Sequence, residues 1–203
     1  HFDTHIVMTS RGCPWQCTFC GAETSWGRGY RAQSIDYVVD ALASALERVP
    51  VRMIQIKDDT FTTNQKRVKQ LCQAIRARGL SLLWSCDTRV DVLSEELLTE
   101  MRLAGCQRLS LGVESGSQSI LDAINKKISV QEIVDAAAMA KRVGIRVRFY
   151  MMLGNRGETA ATFCPSRALT SVDLPTLGRP RMAIKPERKS VIGFSVFLRA
   201  HVC

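Results

Sequence analysis

A chain of 203 residues, 46% of them hydrophobic, is long enough for one domain with a sizeable core, and it has neither an apolar run able to span a bilayer nor an opening signal-peptide pattern. The formal net charge of +9 is uneven: residues 1 to 163 carry 21 Lys and Arg against 17 Asp and Glu, whereas residues 164 to 203 carry 7 against 2. More than half of the excess therefore lies in a tail with no basic–aromatic interleaving, so the charge does not point to nucleic acid.

The apolar run Ile6-Val7-Met8 reads as a first strand and leads into Arg11-Gly12-Cys13-Pro14-Trp15-Gln16-Cys17-Thr18-Phe19-Cys20-Gly21. Three cysteines fall within eight residues, spaced C-x-x-x-C-x-x-C. So short a loop is expected to make the thiols converge on one point. That suits three corners of an iron–sulfur cube, with the fourth iron open to a substrate or cofactor. Phe19 is placed to cover such a cluster and limit water. A zinc site would need a fourth ligand, usually from a second paired motif, but Cys72, Cys86, Cys106, Cys164 and Cys203 are scattered singly. A disulfide framework suits a short secreted chain. Eight cysteines without secretory features instead indicate a reducing, cytoplasmic setting. Because the chain begins at His1 rather than Met, it is expected to be a piece of a longer product.

Residues 21 to 33, Gly-rich and polar, read as an irregular connection. Ser34 is placed to cap a helix through Val38, Val39, Leu42 and Leu46, stopped by Pro50. Val51 to Ile56 is a second strand ending in Lys57-Asp58-Asp59-Thr60-Phe61. Asn64 caps the next helix, which Gly79 closes. Leu80 to Cys86 reads as a third strand with Asp87-Thr88-Arg89 as its outgoing loop. A helix from Ser94 to about Gly105 precedes a fourth strand, Arg108 to Val113, running into Glu114-Ser115-Gly116-Ser117. A short helix over Ser119 to Ile124 and a longer one from Ser129 to Val143, closed by Gly144, lead to a fifth strand, Ile145 to Leu153. Gly154-Asn155-Arg156-Gly157-Glu158-Thr159 follows.

Strands alternating with helices imply parallel pairing through helical crossovers. Five such units, each strand ending in polar or glycine residues, predict an α/β fold: a partial (β/α) barrel, incomplete at its C-terminus, with its site at the strands' carboxyl ends. The domain boundary is placed after Phe163. Beyond it fall four of the six prolines, helical periodicity vanishes, and Val191 to Leu198 is the one candidate strand. Residues 164 to 203 are expected to be a divergent tail, disordered or frame-altered, and loss of a sixth strand would leave the sheet edge open.

Asp58 and Asp59 offer carboxylates at a strand end, or simply a turn capping the next helix. Arg89 presents a planar fork for a carboxylate, or a surface salt bridge. Glu114 and Ser115 offer groups for an amine or sugar hydroxyls, or a helix cap. Cys86 faces the mouth if the strand phase is right, while Cys72 and Cys106 belong to the core. Met151 and Met152 are expected to pack the barrel interior.

The cysteine spacing with its aromatic, its place after a first strand, and the downstream motifs resemble the radical S-adenosylmethionine superfamily over roughly residues 5 to 163. Asp-Asp-Thr-Phe, Gly-Val-Glu-Ser-Gly-Ser and Gly-Asn-Arg-Gly-Glu-Thr look most like its cobalamin-binding-domain subclass. The resemblance implies a 4Fe-4S cluster on Cys13, Cys17 and Cys20 and S-adenosylmethionine chelated at the open iron. One-electron cleavage would give a 5′-deoxyadenosyl radical. Asp58 and Asp59 would stand at the cofactor amino group, Glu114 and Ser115 at its methionine or ribose part, and Gly154 on the adenine side. Arg156 stands where many members have proline. Methyl transfer or ring formation on a small molecule is implied, with a flavodoxin- or ferredoxin-type electron donor. Cobalamin would be carried by a domain absent from this chain. Two other expectations are an RNA-modifying relative and a truncated, non-catalytic iron–sulfur fragment.

Overall fold

The structure is a computed structural model that describes residues 4–48, 53–159, 162 and 195–196. Strands β1 (Thr4–Val7), β4 (Met53–Ile56), β5 (Trp84–Thr88), β6 (Cys106–Glu114), β7 (Arg146–Met152) and β8 (Ser195–Val196) lie side by side in that order. The first four pairings are parallel and the last, β7 with β8, is antiparallel. A separate two-stranded ribbon joins β2 (Ser10–Arg11) to β3 (Arg31–Ala32). Among the described residues the sheet does not close into a barrel, and β8 covers part of the β7 edge.

The helices are α1 (Ala22–Trp26), α2 (Ile35–Arg48), α3 (Gln65–Ala77), α4 (Glu95–Leu103), α5 (Gln118–Ala123) and α6 (Val130–Val143). Their starts follow the capping residues read from sequence. The Asn64 side chain accepts from the Arg67 amide, Ser94 from the Leu97 amide, and Ser129 with Glu132 forms a reciprocal capping box. Gly144, in the left-handed region at φ 78°, ends α6. Helix and sheet residues then bury one continuous apolar core, including Val38, Leu42, Leu71, Ile75, Leu97, Met101 and Ile133 from helices and Ile54, Ile56, Trp84, Leu109, Leu111 and Phe149 from strands. Cys72 and Cys106 belong to it, as expected. Met151 is half-buried against it, and Met152 is half-buried at the end of β7.

Three expectations need correction. Residues 21 to 33 are not irregular, since α1 and β3 fall there, the latter held by pairing with β2. β5 starts at Trp84, so Asp87 and Thr88 are strand residues; the preceding leucines serve the helix-to-strand connection, with the Leu80 amide bonded to the Ile75 carbonyl. Cys86 lies on the same strand face as Trp84, fully buried in the core and away from the mouth. Pro50 and residues 164 to 203 lie outside the described residues, apart from Ser195–Val196 within the late strand expected over Val191 to Leu198.

Candidate active site

The cysteine loop is fastened to the sheet before its first thiol. Asp58, just past β4 and 2% exposed, accepts three hydrogen bonds of 2.6 Å, from the Thr9 amide, the Thr9 hydroxyl and the Ser10 hydroxyl. The Asp59 carboxylate accepts from the Gly12 amide at 2.9 Å. Gly12 has φ 88°, and a Cβ there would stand 2.2 Å from the Gly29 carbonyl oxygen, so the close crossing of the two loops requires glycine. Further along, the Thr18 amide donates to the Ile124 carbonyl (3.0 Å) and the Asn125 side chain to the Gln16 carbonyl (2.7 Å). Arg28 Nη1 donates to the Trp15 carbonyl at 3.1 Å.

Cys13, Cys17 and Cys20 are unpaired and line one cleft of about 310 Å³. Each sulfur has its own neighbour: the Thr60 hydroxyl 3.9 Å from Cys13 Sγ, Arg89 Nη1 3.5 Å from Cys17 Sγ, and the Ala22 amide 3.4 Å from Cys20 Sγ. Among the described residues, no three His, Cys, Asp or Glu side chains gather around a single ion position. Three thiols lining a common cleft suit a multi-iron cluster, whose corners each take one sulfur. The donor set therefore fits a cluster, with Cys13, Cys17 and Cys20 as the residues that would hold it.

Arg89 is neither a free fork nor a surface ion pair. Only 4% exposed, it donates through Nε and Nη2 to the two Asp91 carboxylate oxygens, each at 2.9 Å, and through Nη2 to the Lys126 carbonyl at 2.7 Å. The Trp15 ring lies 4.8 Å from its guanidinium carbon. Glu114, at φ 69° beyond a bulge in β6, is ion-paired with Lys126 at 3.0 Å, both side chains nearly buried. A Cβ on Gly112 would come within 2.9 Å of both partners' terminal atoms, so the missing side chain makes room for the pair. Phe19, 37% exposed, lies 5.7 Å from Lys126 Nζ. Ser115, buried, caps the next turn by accepting from the Ser117 amide. Gly154, at φ 85°, and Asn155 donate their amides to Glu158 Oε2; of the predicted positions, Ser115 and Gly154 do not line the cleft.

Sequence reasoning missed three residues that meet on the cleft wall: Lys57 just past β4, Asp87 on β5 and Tyr150 on β7. Lys57 Nζ donates to Asp87 Oδ2 at 2.8 Å and to the Tyr150 hydroxyl at 3.4 Å, and that hydroxyl donates to Asp87 Oδ1 at 3.3 Å. Burial pushes the Lys57 ammonium down, but the hydrogen bond and charge of Asp87, with Tyr150, more than reverse it and leave it above its ordinary value. Lys126 and Thr60 were missed as well. The available signal was alternation: Lys57, Asp87 and Tyr150 interrupt strands that, in a parallel sheet covered on both faces, would read as continuous apolar runs.

An open parallel sheet with an unpaired three-cysteine loop fastened across its strand tips defines an α/β partial-barrel protein built to hold metal. The sequence model of the radical SAM superfamily matches residues 7–167, and the chain belongs to that superfamily. It is 34% identical over 154 residues to an uncharacterized methyltransferase of Pyrococcus horikoshii, covering 76% of this chain and 34% of that protein. It is also 34% identical over 159 residues to the anaerobic magnesium-protoporphyrin IX monomethyl ester cyclase of Rubrivivax gelatinosus, covering 77% of this chain and 28% of that protein. Among solved structures it resembles the radical S-adenosylmethionine methyltransferase TsrM from Kitasatospora setae, with a TM-score of 0.75 at 19% identity over 84% of this chain and 34% of that one; this likeness concerns the fold. The chain spans about a third of the length of the curated relatives it matches. Among the described residues no helix is long and apolar enough to cross a membrane.

Proposed function

We propose that this chain is the catalytic core of an enzyme that cleaves S-adenosylmethionine at a 4Fe-4S cluster held by Cys13, Cys17 and Cys20. The observation that carries the reading is the placement of three unpaired thiols around one cleft at the carboxyl ends of parallel strands. When bound, the cluster supplies one electron to the sulfonium C–S bond, giving the 5′-deoxyadenosyl radical that takes hydrogen from substrate.

The chain's own residues position and shield. Arg89 fixes Cys17 through its bond to the sulfur, and Phe19 covers the loop. The Asp58 and Asp59 carboxylates are spent on the loop, so the cofactor amino group is assigned to backbone carbonyls of this segment rather than to those side chains. Glu114 and Ser115 border the methionine or ribose part, and Gly154 the adenine side. Methyl transfer or ring formation on a small molecule is the outcome suggested by what the relatives are named for. The full-length protein would draw its electron from a flavodoxin- or ferredoxin-type donor, use cobalamin from a separate domain, and work in the cytoplasm. No feature of the cleft favours the RNA-modifying reading.

Anaerobic reconstitution with iron and sulfide should give a brown protein with about four irons per chain, lost on Cys→Ala at any of the three positions. With a strong reductant and S-adenosylmethionine it should release 5′-deoxyadenosine. A colourless product holding only zinc would overturn the proposal.

A further inference from the structure

The face of the sheet turned away from the helices carries side chains unlike a packed barrel interior. Strand register places Gln55, Ser85, Arg108 and Arg146 in one cross-strand row, Asp87, Ser110 and Arg148 in the next, and Gly112 with Tyr150 above them. Packed barrel layers are dominated by bulky branched apolar residues. Apart from the exposed Ile6, which pairs with Gln55 at the β1 edge of the first row, none occurs in these rows.

Three polar atoms on this face are buried without a hydrogen-bond partner: Ser85 Oγ, Ser110 Oγ and Arg108 Nε. Both serines are 1% exposed, and Ser110 lines the cleft. Arg108 lies across the face, its Nη2 reaching Met53 Sδ at 3.8 Å. Burial, then the like charges of Arg148 and Arg146, push its guanidinium down from the ordinary value, with Tyr150 and Asp87 opposing. Among the described residues the face holds Lys57, Arg108, Arg146 and Arg148 against Asp87, which is already paired with Lys57, while Glu114 above Gly112 is paired with Lys126. A surface whose acids are already paired, leaving three arginines in excess beside buried unpaired donors, concentrates anions. Buried donors left unpaired cost free energy that an incoming acceptor would recover.

We infer that this face, below the cofactor end of the cleft, binds an anionic group of the substrate, a carboxylate or a phosphoryl oxyanion, through Arg108, Arg148 and the Ser85 and Ser110 hydroxyls. The inference deepens the proposed function, on which it rests, by naming the substrate class of the same site.

Isothermal titration of the purified chain with pyrophosphate and with succinate, at fixed ionic strength, tests it. Saturable binding of either probe is expected, and which one binds tells the phosphoryl class from the carboxylate class. Arg108→Gln and Arg148→Gln should each weaken binding about tenfold. Arg142→Gln removes the same charge from the helical surface, where Arg142 pairs with Glu95, and should leave binding unchanged. Ser110→Ala removes only a hydroxyl and serves where an arginine variant does not fold; it too should weaken binding. No saturable binding of either probe, or an equal loss in Arg142→Gln, overturns the inference. Iron taken up without anion binding sinks this site alone. Anion binding by a chain that takes up no iron sinks the proposed function and leaves the site standing.

Discussion

Arg89 Nη1 lies 3.5 Å from the sulfur of Cys17, although the two residues are 72 positions apart in the chain. The same guanidinium clamps Asp91 and the Lys126 carbonyl and is stacked against Trp15. One buried cation thus ties the middle of the cysteine loop to the end of β5 and to the segment after α5. Replacing it with Met keeps bulk but strands the Asp91 carboxylate and frees the loop. Arg89→Met should destabilise the fold by about 3 kcal/mol, as breaking a largely buried ion pair does. It should also lower the iron retained after reconstitution. Arg89→Lys keeps the charge but not the fork, and should recover only part of either. Urea midpoints and iron content check both.

Asp58 makes a cleaner case for separating support from ligand binding. Its carboxylate satisfies an amide and two hydroxyls, all on Thr9 and Ser10, which are themselves buried. Asp58→Ala leaves those donors unpaired, so the loss should reach about 3 kcal/mol or more. A cofactor-contacting carboxylate would instead weaken S-adenosylmethionine binding at unchanged stability. Chemical denaturation read beside ligand titration decides between them.

The fold was legible because its signals are local. Ser94, Asn64 and Ser129 sit one residue before helices whose apolar spacing follows, and the cysteine loop announces itself in eight residues. The Lys57–Asp87–Tyr150 contact was not legible, since its members come from the end of β4, from β5 and from β7, and only the packing of the sheet brings them together. Arg89 read equally as a fork for a cofactor or substrate carboxylate and as a surface salt bridge, for a related reason. What makes it structural is the Cys17, Asp91 and Lys126 contacts, two of which come from distant parts of the chain. Cys86 was misplaced because alternation alone leaves open which face of a strand the helices cover; Leu82, Trp84 and Cys86 share the face that packs in the core.

Alkaline pH should loosen the protein through its core thiols. Burial, reinforced by Cys106 and Glu100 and opposed by Arg76, pushes the Cys72 thiol from its ordinary 9.0 up to about 12, and burial moves Cys86 the same way. A folded value above the unfolded one means the native state binds more protons between them. Stability is then complete below about pH 9 and falls as pH rises toward 12. Cys72→Ala should flatten the drop in denaturation free energy between about pH 8 and pH 11, with Cys86 accounting for what remains. A slope unchanged by the substitution would show that other groups cause it.

Glu114 and Lys126 form the buried pair on which the far side of the cleft depends, their side chains 10% and 5% exposed. Lys126→Met leaves a carboxylate without its cation in a site that Gly112 keeps narrow, so it should cost about 3 to 5 kcal/mol. Adding Glu114→Gln removes the stranded charge. The double variant should therefore be more stable than Lys126→Met alone, the sign expected of a coupled pair. Additive losses across the four-member cycle would mean that Lys126 acts through Phe19, or through the backbone that Arg89 grips, rather than through Glu114.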